Sequence, residues 1–391
     1  MIGLPPLVDH HCHGVVRGEL GDAAFEGYLS ESGASPARGT TFFDTQTGFA
    51  VRRWCPPLLG LQPHCPPAAY LARRRALGTD ESTRRLLQGS GIGTYVVDTG
   101  LPGDLTTPAE LAAAGGGAHR EIVRLERLAE DVADDAAGAR DSAGAWAEGM
   151  AEAVHAAART AAGFKSVAAY RHGLGLAPEA PAPGEVRHAA GAWLRARGAG
   201  PGRLGDPVLL RYLLWTAVAT GLPLQLHTGF GDPDLRLDHA DPALLTDFAR
   251  ATAGTGADLV LLHCYPYHRQ AAYLANVFPH VYADVGLALT HVGARAGAVL
   301  AEFLELAPFG KLLFSTDAHG LPELYVTGAE AFRGAVREVL GAWVADGAWS
   351  ADDARRVAAM LAAGNPQRFF RRECRARVLG RTRPRGGAVP T

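Results

Sequence analysis

The chain has 391 residues, of which 48% are hydrophobic, so it can bury a sizeable core as one large domain or two ordinary ones. Its 38 Lys and Arg residues nearly balance its 40 Asp and Glu residues, which gives a formal net charge of -2. This balance argues against a nucleic-acid or membrane partner and favours a small-molecule substrate.

Short strand-like segments alternate along the chain with helical segments rich in Ala, Leu and Arg. This order is typical of parallel βα units. Eight strands are predicted, at Pro6–His11, Gly93–Asp98, Glu121–Glu126, Phe164–Tyr170, Pro223–His227, Leu259–His263, Val281–Asp284 and Lys311–Thr316. Eight such units predict an α/β fold, a closed (β/α)8 TIM barrel.

The barrel accounts for only part of the chain, because a (β/α)8 domain needs about 250 residues. Most of the excess lies at residues 14–92, and we expect this helical insertion after the first strand to cover the barrel mouth as a lid. Residues 1–372 are predicted to form a single domain. Residues 373–391 mix Arg, Gly and Pro without an apolar period and are predicted to be a disordered basic tail.

The five cysteines are scattered without CxxC spacing, which argues against a disulfide framework and against a cysteine zinc site. The N-terminal segment meets Asp9 and His10 early and lacks the apolar core of a signal peptide. No stretch approaches the roughly 18 uninterrupted apolar residues that a membrane span needs. We therefore expect a cytoplasmic protein.

Ionisable side chains stand at the ends of four predicted strands. The first strand ends in Asp9-His10-His11-Cys12-His13, and the others end at His227, His263 and Asp317. The carboxyl ends of barrel strands converge on one face, so these residues are expected to meet. Any one of these histidines alone is more simply a hydrogen-bonded interior residue. The ordered set predicts a divalent metal site.

The spacing assigns a role to each residue. His11 and His13 are two residues apart on a strand, so both face the same side and can hold one ion together. His227 would add a third nitrogen and Asp317 an oxygen ligand, with its second oxygen free to take a proton from metal-bound water. His263 is left to polarise a carbonyl group or stabilise an oxyanion.

This ordered set resembles the amidohydrolase superfamily, which has a DxHxH motif at the first strand, histidines ending the fifth and sixth, and an aspartate ending the eighth. A narrower similarity is to the amidohydrolase-2 type domain that some fungal and plant proteins carry before a glutamine-synthetase-like domain. It spans roughly residues 5–372 and includes Gly163-Phe164-Lys165-Ser166, His227-Thr228-Gly229-Phe230-Gly231-Asp232 and Ser315-Thr316-Asp317-Ala318-His319.

The resemblance implies a metal-dependent hydrolase, and a substrate that is an amide of glutamate or of a related amino acid. Because this chain ends where the synthetase-like half would begin, the resemblance also implies that the chain acts alone or with a separate glutamine-synthetase-like protein as a pathway partner. A homo-oligomer is expected. Superfamily members of the same branch include decarboxylases and hydratases with the same ligands, so these activities stay open as alternatives.

Binuclear superfamily members bridge two metals with a carboxylated lysine at the end of the fourth strand, and Lys165 is one of only two lysines here. The predicted fourth strand runs on to Tyr170, which puts Lys165 roughly 15 Å from the barrel mouth at about 3.3 Å per residue. We therefore predict one divalent metal, Zn²⁺ or Mn²⁺, held by His11, His13, His227 and Asp317. A second, Lys165-bridged metal is the alternative.

Substrate-binding residues are predicted after the fourth and sixth strands, at Tyr170, Arg171, His172, Tyr265 and Tyr267. Arg171 can hold a substrate carboxylate through its planar guanidinium, since no other fixed cation is expected at a strand end. A surface ion pair is the alternative for Arg171, and packing under a loop is the alternative for the tyrosines. Asp98 and Asp284 end strands and are candidates to orient a metal-bound histidine.

These residues predict a metal-dependent hydrolase that cleaves the C–N bond of a small, carboxylate-bearing amino-acid derivative, such as a γ-glutamyl or N-acyl amide. Asp317 and His263 would be its catalytic residues. A non-catalytic barrel is the remaining alternative, and the complete ligand set argues against it.

Overall fold

The computed structural model describes residues 2–136, 140–198 and 202–370. Within them, eight parallel strands form one sheet in which each strand pairs with the next along the chain. The strands are β1 (Leu7–Cys12), β2 (Ile92–Asp98), β3 (Ala118–Arg124), β4 (Gly163–Ser166), β5 (Leu224–Thr228), β6 (Leu259–His263), β7 (Val281–Asp284) and β8 (Leu312–Leu313). The (β/α)8 barrel prediction is confirmed.

Helices follow the strands in the alternating order that the sequence predicts. They are α1 (Asp22–Gly27), α2 (Gln46–Leu58), α3 (Pro67–Leu77), α4 (Thr79–Gly89), α5 (Pro108–Gly115), α6 (Leu125–Ala136), α7 (Ser142–Ala157), α8 (Ala168–Arg171), α9 (Pro183–Arg197), α10 (Pro207–Ala219), α11 (Thr246–Ala251), α12 (His268–Val277), α13 (Gly286–Val292), α14 (Ala296–Leu304), α15 (Pro322–Ala345), α16 (Ala351–Ala359) and α17 (Asn365–Phe370). Asp206 starts α10 in the usual way, accepting hydrogen bonds from two backbone amides of the first turn.

The central strands are apolar until their last residues. In β6, Leu259 to Leu262 are buried and His263 ends the run, and β5 ends in the same way at His227 and Thr228. Continuous apolar runs are what parallel strands need, because both of their faces are covered. The histidines of these two strands therefore stand at the end where the barrel opens, and Gln225 is the one polar residue earlier in β5.

Backbone contacts between β1 and the segment after β8 close the barrel. The His10 amide donates to the carbonyl oxygen of Phe314 at 3.2 Å, and the Asp317 amide donates to the carbonyl oxygen of His11 at 3.0 Å. We call this region, residues Asp9–His13 with Phe314–Ala318, the β1–β8 seam. The predicted eighth strand, Lys311–Thr316, was too long, because the chain leaves the regular ladder after Leu313 to make the seam contacts.

The fourth strand also differs from the prediction. It ends at Ser166 rather than Tyr170, and α8 follows at once. The buried carboxylate of Glu126 accepts hydrogen bonds from the Ser166 hydroxyl at 2.6 Å and from the Val167 amide at 3.0 Å. Ser166 Oγ in turn accepts from the Ala168 amide at 3.1 Å, which turns the chain into the helix.

The insertion after β1 consists of α1 to α4, as predicted, and it is joined to the helix that follows β8. Helices α2 and α4 pack against α15. A buried ion pair adds to this contact, because Arg74 Nε lies 2.9 Å from Glu323 Oε1 at the start of α15. The hydroxyl of Tyr70 donates to the same oxygen at 2.8 Å.

The helical stretch Gly286–Leu304, which contains α13 and α14, is long and apolar enough to cross a membrane, and 56% of it is buried inside the fold. These two helices contribute Leu289, Leu300 and Phe303 to the main core. The stretch is therefore accounted for as part of the core. The tail predicted at residues 373–391 lies outside the described residues.

Replacing Arg74 by alanine should destabilise the fold strongly, because the Glu323 carboxylate would stay buried without its cation. We expect Arg74→Ala to lower the free energy of unfolding by about 3–5 kcal/mol in urea denaturation. Arg75→Ala is the matched control, since Arg75 is 41% exposed and pairs with Asp22 on the surface. It should cost less than about 1 kcal/mol. Equal losses for the two variants would show that the buried pair does not fix the insertion.

Candidate active site

A cavity of about 210 Å³ opens at the carboxyl ends of the strands. The predicted site residues that line it are His13, Tyr170, Arg171, His227, His263 and Asp317. His11 is fully buried beside this lining and faces Asp317. The structure therefore brings all the predicted metal ligands and both predicted catalytic residues to one place.

Asp317 lies at the centre of this cluster. Its Oδ1 is 3.2 Å from His11 Nε2 and 3.4 Å from His13 Nε2, and its Oδ2 is 3.7 Å from His263 Nε2. Candidate ligand atoms of His11, His263 and Asp317 lie within 4.8 Å of one another, as do those of His11, His13 and Asp98. Both groups contain His11, so they describe a single centre.

Hydrogen bonds on the far side of the rings fix the protons of two histidines. His13 Nδ1 lies 2.9 Å from the carbonyl oxygen of Asp98, which can only accept, so Nδ1 carries the proton. The Gln225 amide donates from Nε2 to the carbonyl oxygen of His10 at 2.9 Å. Its Oε1 therefore accepts from His11 Nδ1, at 2.8 Å.

In their neutral forms both rings therefore present an Nε2 acceptor to Asp317. Burial, with the nearby charge of Lys165, lowers the pKa of His11 to about 4, so this ring is neutral and its Nε2 has no proton. An ionised carboxylate and lone pairs of neutral imidazoles repel each other unless a cation lies between them. This donor set fits a divalent metal.

The residues that orient the ligand candidates were only partly predicted. Gln225 was missed, although it stands two residues before His227 on β5 and therefore shares its face of the strand. Asp98 was a candidate partner, and it acts on His13 through its backbone oxygen. Its carboxylate instead binds Arg124 Nη2 at 2.6 Å.

Two aspartates support the seam. Asp9 accepts hydrogen bonds from the amide of Thr316 at 2.9 Å and from its hydroxyl at 2.5 Å, directly before Asp317. Asp284, the other predicted partner of a metal-bound histidine, bonds His10 Nε2 instead. Since His10 is the residue between Asp9 and His11, Asp284 supports the first strand and contacts no ligand candidate directly.

His227 and His263 stand side by side at the ends of β5 and β6, with ring centroids 4.5 Å apart. His227 is 5% exposed, and its Nε2 has no hydrogen-bond partner among the described residues. Both ring nitrogens of His263 are likewise buried without a partner there. Buried polar atoms without partners are rare in folded proteins, so these nitrogens point to a ligand.

The backbone is strained at the same place. His263, Cys264 and Asp317 have φ angles of 67°, 62° and 52°, in the left-handed region that favours glycine. Each such residue costs on the order of 1–3 kcal/mol, and such residues cluster at functional sites. Both predicted catalytic residues, His263 and Asp317, therefore have strained backbone and line the cavity.

Lys165 lies within the site, contrary to the prediction that it is far from the mouth. Because β4 ends at Ser166, Lys165 is the last but one residue of the strand. Its Nζ lies 3.3 Å from His11 Nε2, and burial lowers its pKa to about 8. The error came from extending the fourth strand to Tyr170.

Tyr170 and Arg171 line the cavity as predicted, but from the short helix α8 rather than from a strand end. The expectation that Arg171 is the only fixed cation besides a metal was wrong. Lys165 also lines the cavity, and sequence analysis missed Arg124 and Arg203 there. Arg124 is the last residue of β3, and Arg203 lies in the loop before α10.

Three predicted substrate residues lie outside this cavity. His172 is exposed and does not line it. Tyr265 lines a neighbouring groove, where its ring stacks on His268 with centroids 5.6 Å apart. Tyr267 precedes α12 as its N-terminal flanking residue. The chain after β6 thus turns away from the cavity sooner than predicted.

A family model described as Amidohydrolase matches residues 99–372 of this chain. The protein fluG of Emericella nidulans is 37% identical over 221 residues, which cover 53% of this chain and 25% of that protein. The chain therefore spans about a quarter of the length of this relative.

Solved structures share the fold over nearly the whole chain. A protein of Lactobacillus casei ATCC 334, provisionally described as a metal-dependent hydrolase, is 27% identical with a TM-score of 0.80, covering 95% of this chain and 96% of that one. The glucuronate isomerase of Caulobacter crescentus is 14% identical with a TM-score of 0.59, covering 97% and 92%, and shows the fold alone. Since the family model covers more than half of the chain and the barrel is shared, the chain belongs to the amidohydrolase family of metal-dependent hydrolases.

Proposed function

We propose that this enzyme hydrolyses the C–N bond of a small, carboxylate-bearing amino-acid amide. The observation that carries the proposal is the cluster in which His11 and His13 donate from Nδ1 and turn Nε2 toward the carboxylate of Asp317, beside a cavity rich in cations. Such a cluster is suited to bind one divalent metal, and the arginines around it are suited to a substrate anion.

We assign the metal to His11, His13, His227 and Asp317, as Zn²⁺ or Mn²⁺. His11 and His13 support this assignment because each donates its other ring proton to an oxygen, as ligating histidines usually do. His227 supports it because its buried Nε2 has no other partner among the described residues. A metal there would supply Lewis acidity and make a water molecule nucleophilic at neutral pH.

Asp317 and His263 would handle the proton and the developing charge. Asp317 Oδ1 faces His11 and His13, which leaves Oδ2 to take the proton of the attacking water and to return it to the leaving nitrogen. His263 has no hydrogen-bond partner on either nitrogen among the described residues, so it can donate to the oxygen of the scissile carbonyl.

Arg171 is our candidate for the substrate carboxylate. It lines the cavity, and its Nε and Nη1 atoms are buried without a hydrogen bond among the described residues. Glu130 Oε1 lies 3.0 Å from Nη1, which balances the charge but does not meet hydrogen-bond geometry. A planar carboxylate can take up the free donors.

The reaction itself is tested by its products. Metal-loaded enzyme incubated with γ-glutamyl and N-acyl amides should release ammonia or an amine, measured by chromatography. A decarboxylase with the same ligands would release carbon dioxide and no amine. That outcome would contradict hydrolysis and leave the metal assignment standing.

Metal analysis of the purified protein should give about one equivalent per chain. His11→Ala and His13→Ala should each lose this metal together with activity, because each removes half of the two-histidine clamp. Lys165→Met is the control and should still bind about one equivalent of metal per chain. Two equivalents in the wild type, falling in Lys165→Met, would overturn the assignment of a single metal.

His263→Asn should separate metal binding from catalysis. We expect its metal content to stay near that of the wild type and kcat to fall about 10²–10³-fold, the usual effect of removing one oxyanion donor. His227→Asn is the comparison variant and should lose metal. Loss of metal from His263→Asn instead would place His263 in the ligand set.

Arg171→Lys keeps the charge but removes the planar guanidinium that binds a carboxylate in two places. We expect KM to rise about tenfold or more for carboxylate-bearing substrates, because one charge-assisted hydrogen bond is lost. KM for neutral analogues should rise much less. Steady-state kinetics on a matched pair of amides measures this. The same change for both substrates would show that Arg171 serves the fold.

A further inference from the structure

Cations and acids both line the cavity. We call Arg171 and Arg203 the basic group, and Glu31 and Asp232 the acidic group. Tyr170, also in the lining, belongs with both groups: its carbonyl oxygen accepts from Arg203 Nη2 at 3.4 Å, and its hydroxyl lies against Gly231, next to Asp232.

Each arginine of the basic group has one ion-pair partner, Glu130 for Arg171 and Asp234 for Arg203, but Arg171 keeps donors that no hydrogen bond in the described chain fills. Arg171 is only 12% exposed, and two of its nitrogens lack a hydrogen-bond partner among the described residues. Arg203 pairs with Asp234 through Nη1 at 2.6 Å, and it lies near enough to Arg171 for the two charges to repel. One further carboxylate, from a ligand, would relieve this repulsion and fill the free donors.

The acidic group has only weak contact with cations, since Arg203 lies near enough to Asp232 to counter the rise in its pKa but forms no ion pair with it. The carboxylates of Glu31 and Asp232 lie close enough that Glu31 adds to the rise in the pKa of Asp232, which is caused first by burial. Glu31 is 25% exposed and has one ion pair among the described residues, to His291 Nε2 at 3.5 Å. Neither carboxylate forms an ion pair with a lysine or arginine of the described chain. An ammonium group between them would remove their repulsion.

The cavity also places the proposed metal centre beside these two groups. The ring of His227, a proposed metal ligand, lies 4.5 Å from that of Tyr170. The cavity of about 210 Å³ is smaller than the ~300–1,000 Å³ of pockets for drug-sized ligands. It suits a compact polar molecule with charges of both signs.

We propose that the cavity recognises a free α-amino acid group, with the carboxylate at Arg171 and Arg203 and the ammonium at Glu31 and Asp232. This inference rests on the proposed amide hydrolysis and narrows its substrates to amides that keep a free α-amino group, such as γ-glutamyl amides. N-acyl amino acids are excluded as good substrates, because their uncharged nitrogen leaves the two carboxylates unpaired. Glu31 gives the inserted segment after β1 a direct part in specificity.

The test is a binding measurement that needs no bond cleavage. L-Glutamate and glutarate differ only in the α-amino group. Isothermal titration of each into the metal-loaded protein therefore measures how much the α-amino group contributes to binding affinity. We expect glutamate to bind at least about tenfold more tightly, the effect of one charge-assisted hydrogen bond. Glu31→Gln and Asp232→Asn should each reduce this preference about threefold or more, while glutarate binding stays within twofold.

Two comparison variants make the result specific. Arg171→Lys should weaken both ligands alike, since both carry the carboxylate. Asp352→Asn, at an exposed aspartate on α16 that pairs only with Arg355, should change neither. Near-ultraviolet circular dichroism checks that each variant is folded. If either Glu31→Gln or Asp232→Asn does not fold, the other variant alone tests the acidic group.

Equal affinity for the two ligands, binding of neither, or a preference unchanged in both acidic variants overturns the inference. These outcomes are separate from failure of the proposed reaction. If no amide is cleaved but glutamate is still preferred through Glu31 and Asp232, the reaction is wrong and the recognition stands.

Discussion

Backbone hydrogen bonds between the first strand and the segment after the eighth hold the two halves of the proposed metal centre together. The seam joins the amide of Asp317 to the carbonyl of His11, and the amide of His13 to the carbonyl of Ala318. Asp9 grips Thr316 by both its amide and its hydroxyl. Residues separated by some three hundred positions in sequence are thereby fixed within a few ångströms, and the rest of the site is arranged around them.

The site depends on pointing acceptors at one another, which is unfavourable without a cation. Gln225 and the carbonyl oxygen of Asp98 accept hydrogen bonds from Nδ1 of His11 and His13. The Nε2 atoms of both rings therefore face the carboxylate of Asp317. The left-handed backbone at Asp317 and His263 adds to the cost. The proposed metal would offset these terms and would couple the chemistry of the site to the stability of the barrel mouth.

The fold and the cluster could be read from the sequence because both rest on periodic or positional rules. Strands such as Leu259–His263 are apolar runs that end in a polar residue, and barrel topology brings such ends together whatever the intervening sequence. The error at the fourth strand had a local cause. Ser166 and the buried Glu126 stop the strand through hydrogen bonds between distant segments, and no window of sequence around Phe164–Tyr170 contains that information.

That one boundary decided several other predictions. Ending the strand at Ser166 moves Lys165 to the centre and puts Arg171 on a helix. Arg203 and Glu31 were missed because a loop and the insertion bring them to the cavity, and loop paths follow from tertiary contacts. Arg124 was missed because the third strand, predicted to run on to Glu126, ends at Arg124. Tyr265 and Tyr267 stand in the loop after β6 and do not line the cavity.

We propose that the seam residues bind the metal that serves the reaction. The charged residues of the loops and of the insertion would select the substrate. Anomalous diffraction at the metal edge, from crystals grown with Zn²⁺ or Mn²⁺, tests whether the seam holds a metal. We expect a metal about 2.0–2.2 Å from His11 Nε2, His13 Nε2 and a carboxylate oxygen of Asp317. An anomalous peak elsewhere, with these three side chains unbound, would contradict it.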